Sequence, residues 1–250
     1  MRYAILNPAE GLCERASRCA MAIMAKAPRA GKVKTRLAPP LTLEQSAALN
    51  ICFLKDTAEG LAELAGADGM VCYTPVGDEA AFDGLLPEEF ALIAQRGEKF
   101  GERLLAAAED ILACGYGSVC LIDSDSPTVP KAAFEQAVTE LAHAGDRVVL
   151  GPSHDGGYYL IGLKRAHAAV FERIKWSTAS VCEETMERAR EAGLEVVLLP
   201  LWYDVDDGAT LALLREELID GKTPQFATMQ GYEAPHTREF LVGMREPVTV

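Results

Sequence analysis

The feature that most constrains this chain is an alternation: short apolar runs recur with helix-patterned segments between them along most of its length. Ala20–Lys26, Gly69–Thr74, Phe90–Gln95, Ser118–Asp123, Arg147–Gly151, Tyr158–Leu163 and Leu194–Leu199 read as strands. Between the first two, Leu43, Ala47, Ile51, Leu54, Ala58, Leu61 and Ala65 step by three or four, as one face of a helix does. Further helices fit 101–113, 131–143, 180–192 and 208–220. Thr42 with Gln45, and Ser180 with Glu183, stand at capping-box spacing. This order predicts an α/β fold, a mostly parallel sheet flanked by helices. With no linker, repeat or low-complexity run, one domain is expected over 20–221. Residues 1–19 form an N-terminal extension and 222–250, with Pro224, Pro235 and Pro247, a C-terminal tail, both peripheral.

Composition narrows the function classes. At 250 residues, 49% hydrophobic and 24% charged, the chain can bury a large core, which excludes disorder. Lys and Arg number 24 against 37 Asp and Glu, a net charge of −13, which argues against nucleic acid or a polybasic membrane contact as partner. An anionic ligand therefore needs a local basic patch. Seven cysteines, at 13, 19, 52, 72, 114, 120 and 182, form no CxxC pair and predict a reducing, cytoplasmic setting. After Arg2, residues Asn7, Pro8, Glu10, Glu14 and Arg15 interrupt any signal-like apolar run, and no stretch is long enough for a membrane span.

Four stretches carry chemistry. KAPRAGKVKTRL follows the first strand and places Lys26, Arg29, Lys32, Lys34 and Arg36 within eleven residues without one acid. Pro28 and Gly31 make it a loop at the carboxyl end of a strand, where open α/β sheets bind ligands. Guanidinium forks and ammonium groups on such a backbone suit phosphates, although the stretch is not a GxxxxGK[ST] loop. A solvated basic loop is the other reading. VCLIDSDSPTVP ends a buried strand on Asp123 and Asp125, which at i and i+2 point the same way and could share a hard cation. Helix capping is the alternative, and both hold if Thr128 caps the helix and Asp125 is left for metal. GPSHDGGYYLIGL sets His154, Asp155, Gly156 and Gly157 between two strands; the paired glycines admit a ligand or make an Asp-Gly hairpin turn. His154 is a surface side chain or a base. In WYDVDDGATL one of Asp204, Asp206 and Asp207 caps the following helix and another is free to hold metal or substrate.

In this order these stretches, with QRGEKFGERL at 95–104 and KWST at 175–178, resemble the bacterial GT-A-like family of radical-SAM/selenodomain-associated transferases, within the nucleotide-diphospho-sugar transferase superfamily. The likeness spans about 20–220 and implies a GT-A-like fold, the nucleotide over the first loop and a divalent ion, Mg²⁺ or Mn²⁺, at the acidic turn. Asp125 falls on the aspartate of the family's SD-P element. Asp123 stands where glycine is usual and Ser126 where cysteine is common, which favours Asp125 over the pair. The resulting site assigns phosphate contacts to Lys26, Arg29, Lys32, Lys34, Arg36, Arg103, Gly156 and Gly157 and metal to Asp125, Asp123 and Asp206, with Asp155 the candidate catalytic residue though no base stands out. The expected reaction passes a sugar from a nucleotide-sugar to a small-molecule acceptor. KTRL is also similar to the phosphate-gripping segments of phospholactate and molybdenum-cofactor guanylyltransferases, so joining a nucleoside triphosphate to a phosphorylated small molecule is the alternative. A nucleotide-binding protein without turnover is a third.

Overall fold

The computed structural model describes residues 3–10 and 15–244; Cys13 and Pro247 lie outside them. Eight strands form one sheet: β1 (Ala4–Ile5), β2 (Cys19–Lys26), β3 (Ala67–Thr74), β4 (Ala91–Ala94), β5 (Ser118–Ile122), β6 (Arg147–Pro152), β7 (Tyr158–Leu163) and β8 (Glu195–Leu198). Their order is β1-β4-β3-β2-β5-β7-β6-β8. Pairing is parallel except where β7 runs antiparallel to both β5 and β6. The expected α/β architecture is thus observed, with the Asp-Gly stretch turning a hairpin between β6 and β7.

Among the described residues six helices accompany the sheet, four between strands and two after β8: α1 (Leu43–Ala62), α2 (Phe100–Ala113), α3 (Lys131–Ala142), α4 (Val181–Glu191), α5 (Gly208–Asp220) and α6 (Pro235–Gly243). Side chains alternate across each strand, so the sheet feeds two cores. Met21, Ile23, Val71, Tyr73 and Ile122 face α1, α3, α5 and α6. Ala20, Ala22, Met70, Cys72 and Leu121 face α2 and α4. The six cysteines among the described residues are free thiols.

Local reading and structure part at two helix caps. Thr42 and Gln45 do form the capping box of α1. Ser180 does not, because its backbone is already helical and its hydroxyl donates to Glu184 at 2.9 Å. Nor does Thr128 cap α3: Pro130 holds that position, and the buried Thr128 hydroxyl accepts from Trp202 Nε1 at 3.0 Å. Parts of both flanking segments pack against the rest of the fold. Tyr3 and Leu241 are buried, β1 extends the sheet edge, and α6 lies on α1. The N-terminus of α6 is capped across the fold, Asp56 Oδ1 accepting from His236 N at 2.9 Å and Oδ2 from Thr237 N at 2.8 Å.

Candidate functional site

The basic loop, the turn after β5, the β6–β7 tip and the segment after β8 all emerge at the carboxyl edge of the parallel strands. The reversal of β7 is what brings the tip there. Backbone bonds weld the acidic segments together: Val205 N donates to Asp125 O at 2.9 Å and His154 N to Trp202 O at 2.9 Å. Ser153 Oγ donates to Asp204 Oδ1 at 2.9 Å. Behind them Trp202, Thr128, Tyr203 and Glu217 form a polar chain, with Tyr203 donating to Glu217.

The loop is anchored by burial of Val33 and Leu37 and turns at Gly31, where φ is +72°. Its five cations separate into two kinds. Lys34 is buried, with a side chain only 4% exposed. Its ammonium has three protons and three acceptors: Val205 O at 2.7 Å, and Asp125 Oδ1 and Asp206 Oδ1 at 2.8 Å each. Burial alone would lower its pKa; the charges of Asp125 and then Asp206 outweigh that and hold it above the ordinary lysine value. Arg36 pairs with Asp206 Oδ2 at 2.6 Å and Arg29 with Asp78 at 2.5 Å. Lys26 and Lys32, by contrast, line the open cleft together with Arg103, and none of these three has an ion pair among the described residues.

Lys34 marks an oxygen cage. Two carboxylates and a carbonyl converge on its ammonium, the donor chemistry that a hard divalent cation uses, so Asp125 and Asp206 fit such an ion once the ammonium swings away. Asp123 does not converge on this point. Its Oδ1 accepts from Asp125 N at 3.2 Å and its Oδ2 from Ser126 Oγ at 2.8 Å. Burial, then the charges of Asp125 and Asp204, push its pKa well up. Asp207 caps α5, accepting from Ala209 N and Thr210 N, and these bonds lower its pKa. Among the described residues, Asp56, Glu59 and His236 also bring ligand atoms within 4.8 Å of one another and could hold a metal, although both Asp56 oxygens already cap α6.

The cleft is continuous in its lining. One pocket of about 390 Å³ holds Lys26, Lys32, Arg29, Arg103 and Pro75. A second of about 390 Å³ runs from Lys26 and Lys32 to Asp125 and Asp206. A third of about 410 Å³ continues from Arg36 and Asp206 to Asp155, Gly157 and Trp176. Asp155 Oδ1 accepts from Gly157 N at 2.8 Å, tightening the tip. Gly156, at φ +92°, has no room for a side chain, since a Cβ would lie 2.0 Å from Ala179 O. Its contact is therefore with the 175–180 loop, while Gly157 lines the cleft. Another cavity of about 390 Å³, between the end of α5 and residues 230–238, contains none of these groups. Phe100 and Trp176, which line the third pocket, fall in the QRGEKFGERL and KWST stretches, but neither has a site role there, and no local pattern joins positions so far apart.

Residues 57–178 match the family described as "Uncharacterized protein conserved in bacteria (DUF2064)". The chain is similar to a provisionally assigned nucleotide-diphospho-sugar transferase from Desulfovibrio desulfuricans G20, at 34% identity, covering 91% of this chain and 98% of that one with a TM-score of 0.75. CMP:2-keto-3-deoxy-manno-octonic acid synthetase, solved with CTP, shares the fold at 14% identity (82% and 100% covered, TM-score 0.53). So does 4-diphosphocytidyl-2C-methyl-D-erythritol synthase from Anaerococcus prevotii DSM 20548, at 9% identity (80% and 97% covered, TM-score 0.51). No curated protein matches the chain. No helix among the described residues is long and apolar enough to cross a membrane.

Proposed function

The chain belongs to the nucleotide-diphospho-sugar transferase family represented by the Desulfovibrio protein, and on that premise we propose that it transfers a sugar from a nucleotide-diphospho-sugar to a small-molecule acceptor. The observation that carries this reading is the division of one cleft: unpaired Lys26, Lys32 and Arg103 at one end, and the paired carboxylates Asp125 and Asp206 beside them. A diphosphate lying between them meets cations that no acid neutralises. Asp125 and Asp206 would hold Mg²⁺ or Mn²⁺, which when bound supplies charge neutralisation for the departing diphosphate. Lys34, whose ammonium fills the place between these carboxylates, would have to leave it for such an ion to enter. Asp155, one oxygen of which is engaged with Gly157 N, serves as the base toward the acceptor.

Nucleotidyl transfer to a phosphorylated acceptor would gather more negative charge in the same space. Pairing leaves two of the five loop cations, Lys26 and Lys32, for it, which supports the sugar-transfer reading. The test is calorimetry with UDP, GDP, ADP and CDP, with and without Mn²⁺, on wild type and Asp125→Asn. One of the four should bind more tightly with Mn²⁺, and the variant should lose that increment while remaining folded. Absence of nucleotide binding, or an increment that survives in Asp125→Asn, overturns the reading.

A further inference from the structure

The far wall of the cleft is made of residue types that phosphate binding does not use. Phe100, in the first turn of α2, leaves 46% of its surface exposed and sets its ring edge-on to Trp176, with centroids 5.0 Å apart and planes at 80°. Gly101 makes room for this contact, because a Cβ there would lie 2.7 Å from Trp176 Nε1. The loop carrying Trp176 is held from both sides. Glu184 accepts from Lys175 N at 2.7 Å and from Ser180 Oγ at 2.9 Å, and Cys182 N donates to Gly156 O at 2.9 Å. Two aromatic rings are thus fixed at a wetted wall, where exposed large apolar groups mark a contact surface.

Asp155, Ser177 and Thr178 complete this pocket, whose volume of about 410 Å³ lies in the range of small-molecule sites. Arg36 is the cation that lines it, and its guanidinium is already bonded to Asp206. An anionic group placed here faces Asp155 and Asp206, while Arg103, whose guanidinium lies 6.0 Å from the centre of the Phe100 ring, lines the phosphate pocket and not this one. We propose that this end of the cleft is the subsite for a neutral, hydroxyl-rich acceptor, a carbohydrate or polyol. The weakly positive C–H face of such a molecule packs against the negative faces of Trp176 and Phe100 while its hydroxyls meet Asp155, Ser177 and Thr178.

The proposal rests on the sugar-transfer reading and fixes its acceptor class. In the step, the acceptor oxygen bonds to the anomeric carbon as the bond from that carbon to the diphosphate oxygen breaks. The electron pair of that bond leaves with the nucleoside diphosphate, and the acceptor proton passes to the Asp155 carboxylate.

The two tryptophans make the test specific, since Trp202 is fully buried and Trp176 lines the cleft. Tryptophan emission is followed while methyl α-D-glucopyranoside, methyl α-D-mannopyranoside and glycerol, and separately glucose 1-phosphate and glycerol 3-phosphate, are added with Mn²⁺ and UDP, GDP, ADP and CDP present. A neutral compound should give a saturable change, with saturation-transfer NMR signals on its ring or chain protons. Phe100→Ala, which removes an exposed ring, should weaken that binding by roughly tenfold or more while the melting temperature holds; Trp176→Phe, a change confined to this end of the cleft, should retain part of it. Saturation by the phosphorylated compounds alone, equal binding to Phe100→Ala, or no response to any compound overturns the proposal. Nucleoside diphosphate calorimetry on the wild-type protein separates this failure from failure of the sugar-transfer reading, because a Mn²⁺-linked nucleotide increment with no acceptor response overturns this proposal alone.

Discussion

Lys34→Met isolates the role of the buried ammonium. Methionine preserves most of the stem's volume near Phe53, whose ring centre is 5.8 Å from Nζ, and deletes the charge and its three hydrogen bonds. Two carboxylates are then left facing each other. Removing one partner of a fully buried ion pair costs about 3–5 kcal/mol. Here the Asp125 and Asp206 side chains remain 34% and 37% exposed and Arg36 stays on Asp206, so water and that guanidinium recover part of the loss. The net cost is about 2–3 kcal/mol. For a chain of this size, at roughly 2–4 °C per kcal/mol, Tm should fall by about 4–12 °C. Thermal unfolding followed by circular dichroism at pH 7 and low salt reads it. Millimolar Mn²⁺ should then raise the Tm of Lys34→Met by binding the native cage, and do so less in Lys34→Met/Asp125→Asn. A variant that melts within about 1 °C of wild type refutes the tie, and an equal Mn²⁺ effect in both variants refutes the cage.

Two further outcomes follow from the same geometry. Lys32→Ala should weaken nucleoside diphosphate binding by about 1–3 kcal/mol in calorimetry, because an unpaired cation is lost, whereas Arg29→Ala should cost less, since Asp78 already neutralises that guanidinium; equal losses would contradict the sorting. Burial raises the Glu217 pKa above its ordinary 4.5 despite the Tyr203 hydrogen bond. The folded state therefore binds more protons than the unfolded one above that pH, so wild-type stability should fall relative to Glu217→Gln as pH rises from about 4.5; parallel Tm curves for the two proteins would contradict this.

What could be read without coordinates depended on whether the cause is local. Strand runs and the periodicities of α1 to α5 are carried by neighbouring residues, and the structure returns those elements with ends shifted by up to three residues. Helix α6 is nine residues long and takes its cap from Asp56, 180 residues earlier, so no nearby signal announces it. Five positive residues in the loop announce phosphate by number alone. Which of them are free depends on Asp78, Asp125 and Asp206, partners far along the chain. The i, i+2 argument for Asp123 and Asp125 assumed an extended chain. DSDSP instead turns, and Asp123 folds back onto the amide of Asp125.

The single reversed strand divides the cleft by tolerance to change. β6 and β7 enter and leave at one edge, and their hairpin is closed by Ser153 N donating to Gly157 O at 3.0 Å. Gly156 is fixed there by its approach to Ala179 O, but the exposed Ser177 and Thr178 on the facing loop can be replaced with every ladder bond of the sheet left in register. The wall that borders Asp155 is thus open to drift, while the phosphate end is bound to the buried Lys34 and to backbone bonds between distant segments. Paralogues built on this frame should accordingly diverge in what they modify sooner than in the nucleotide portion they hold.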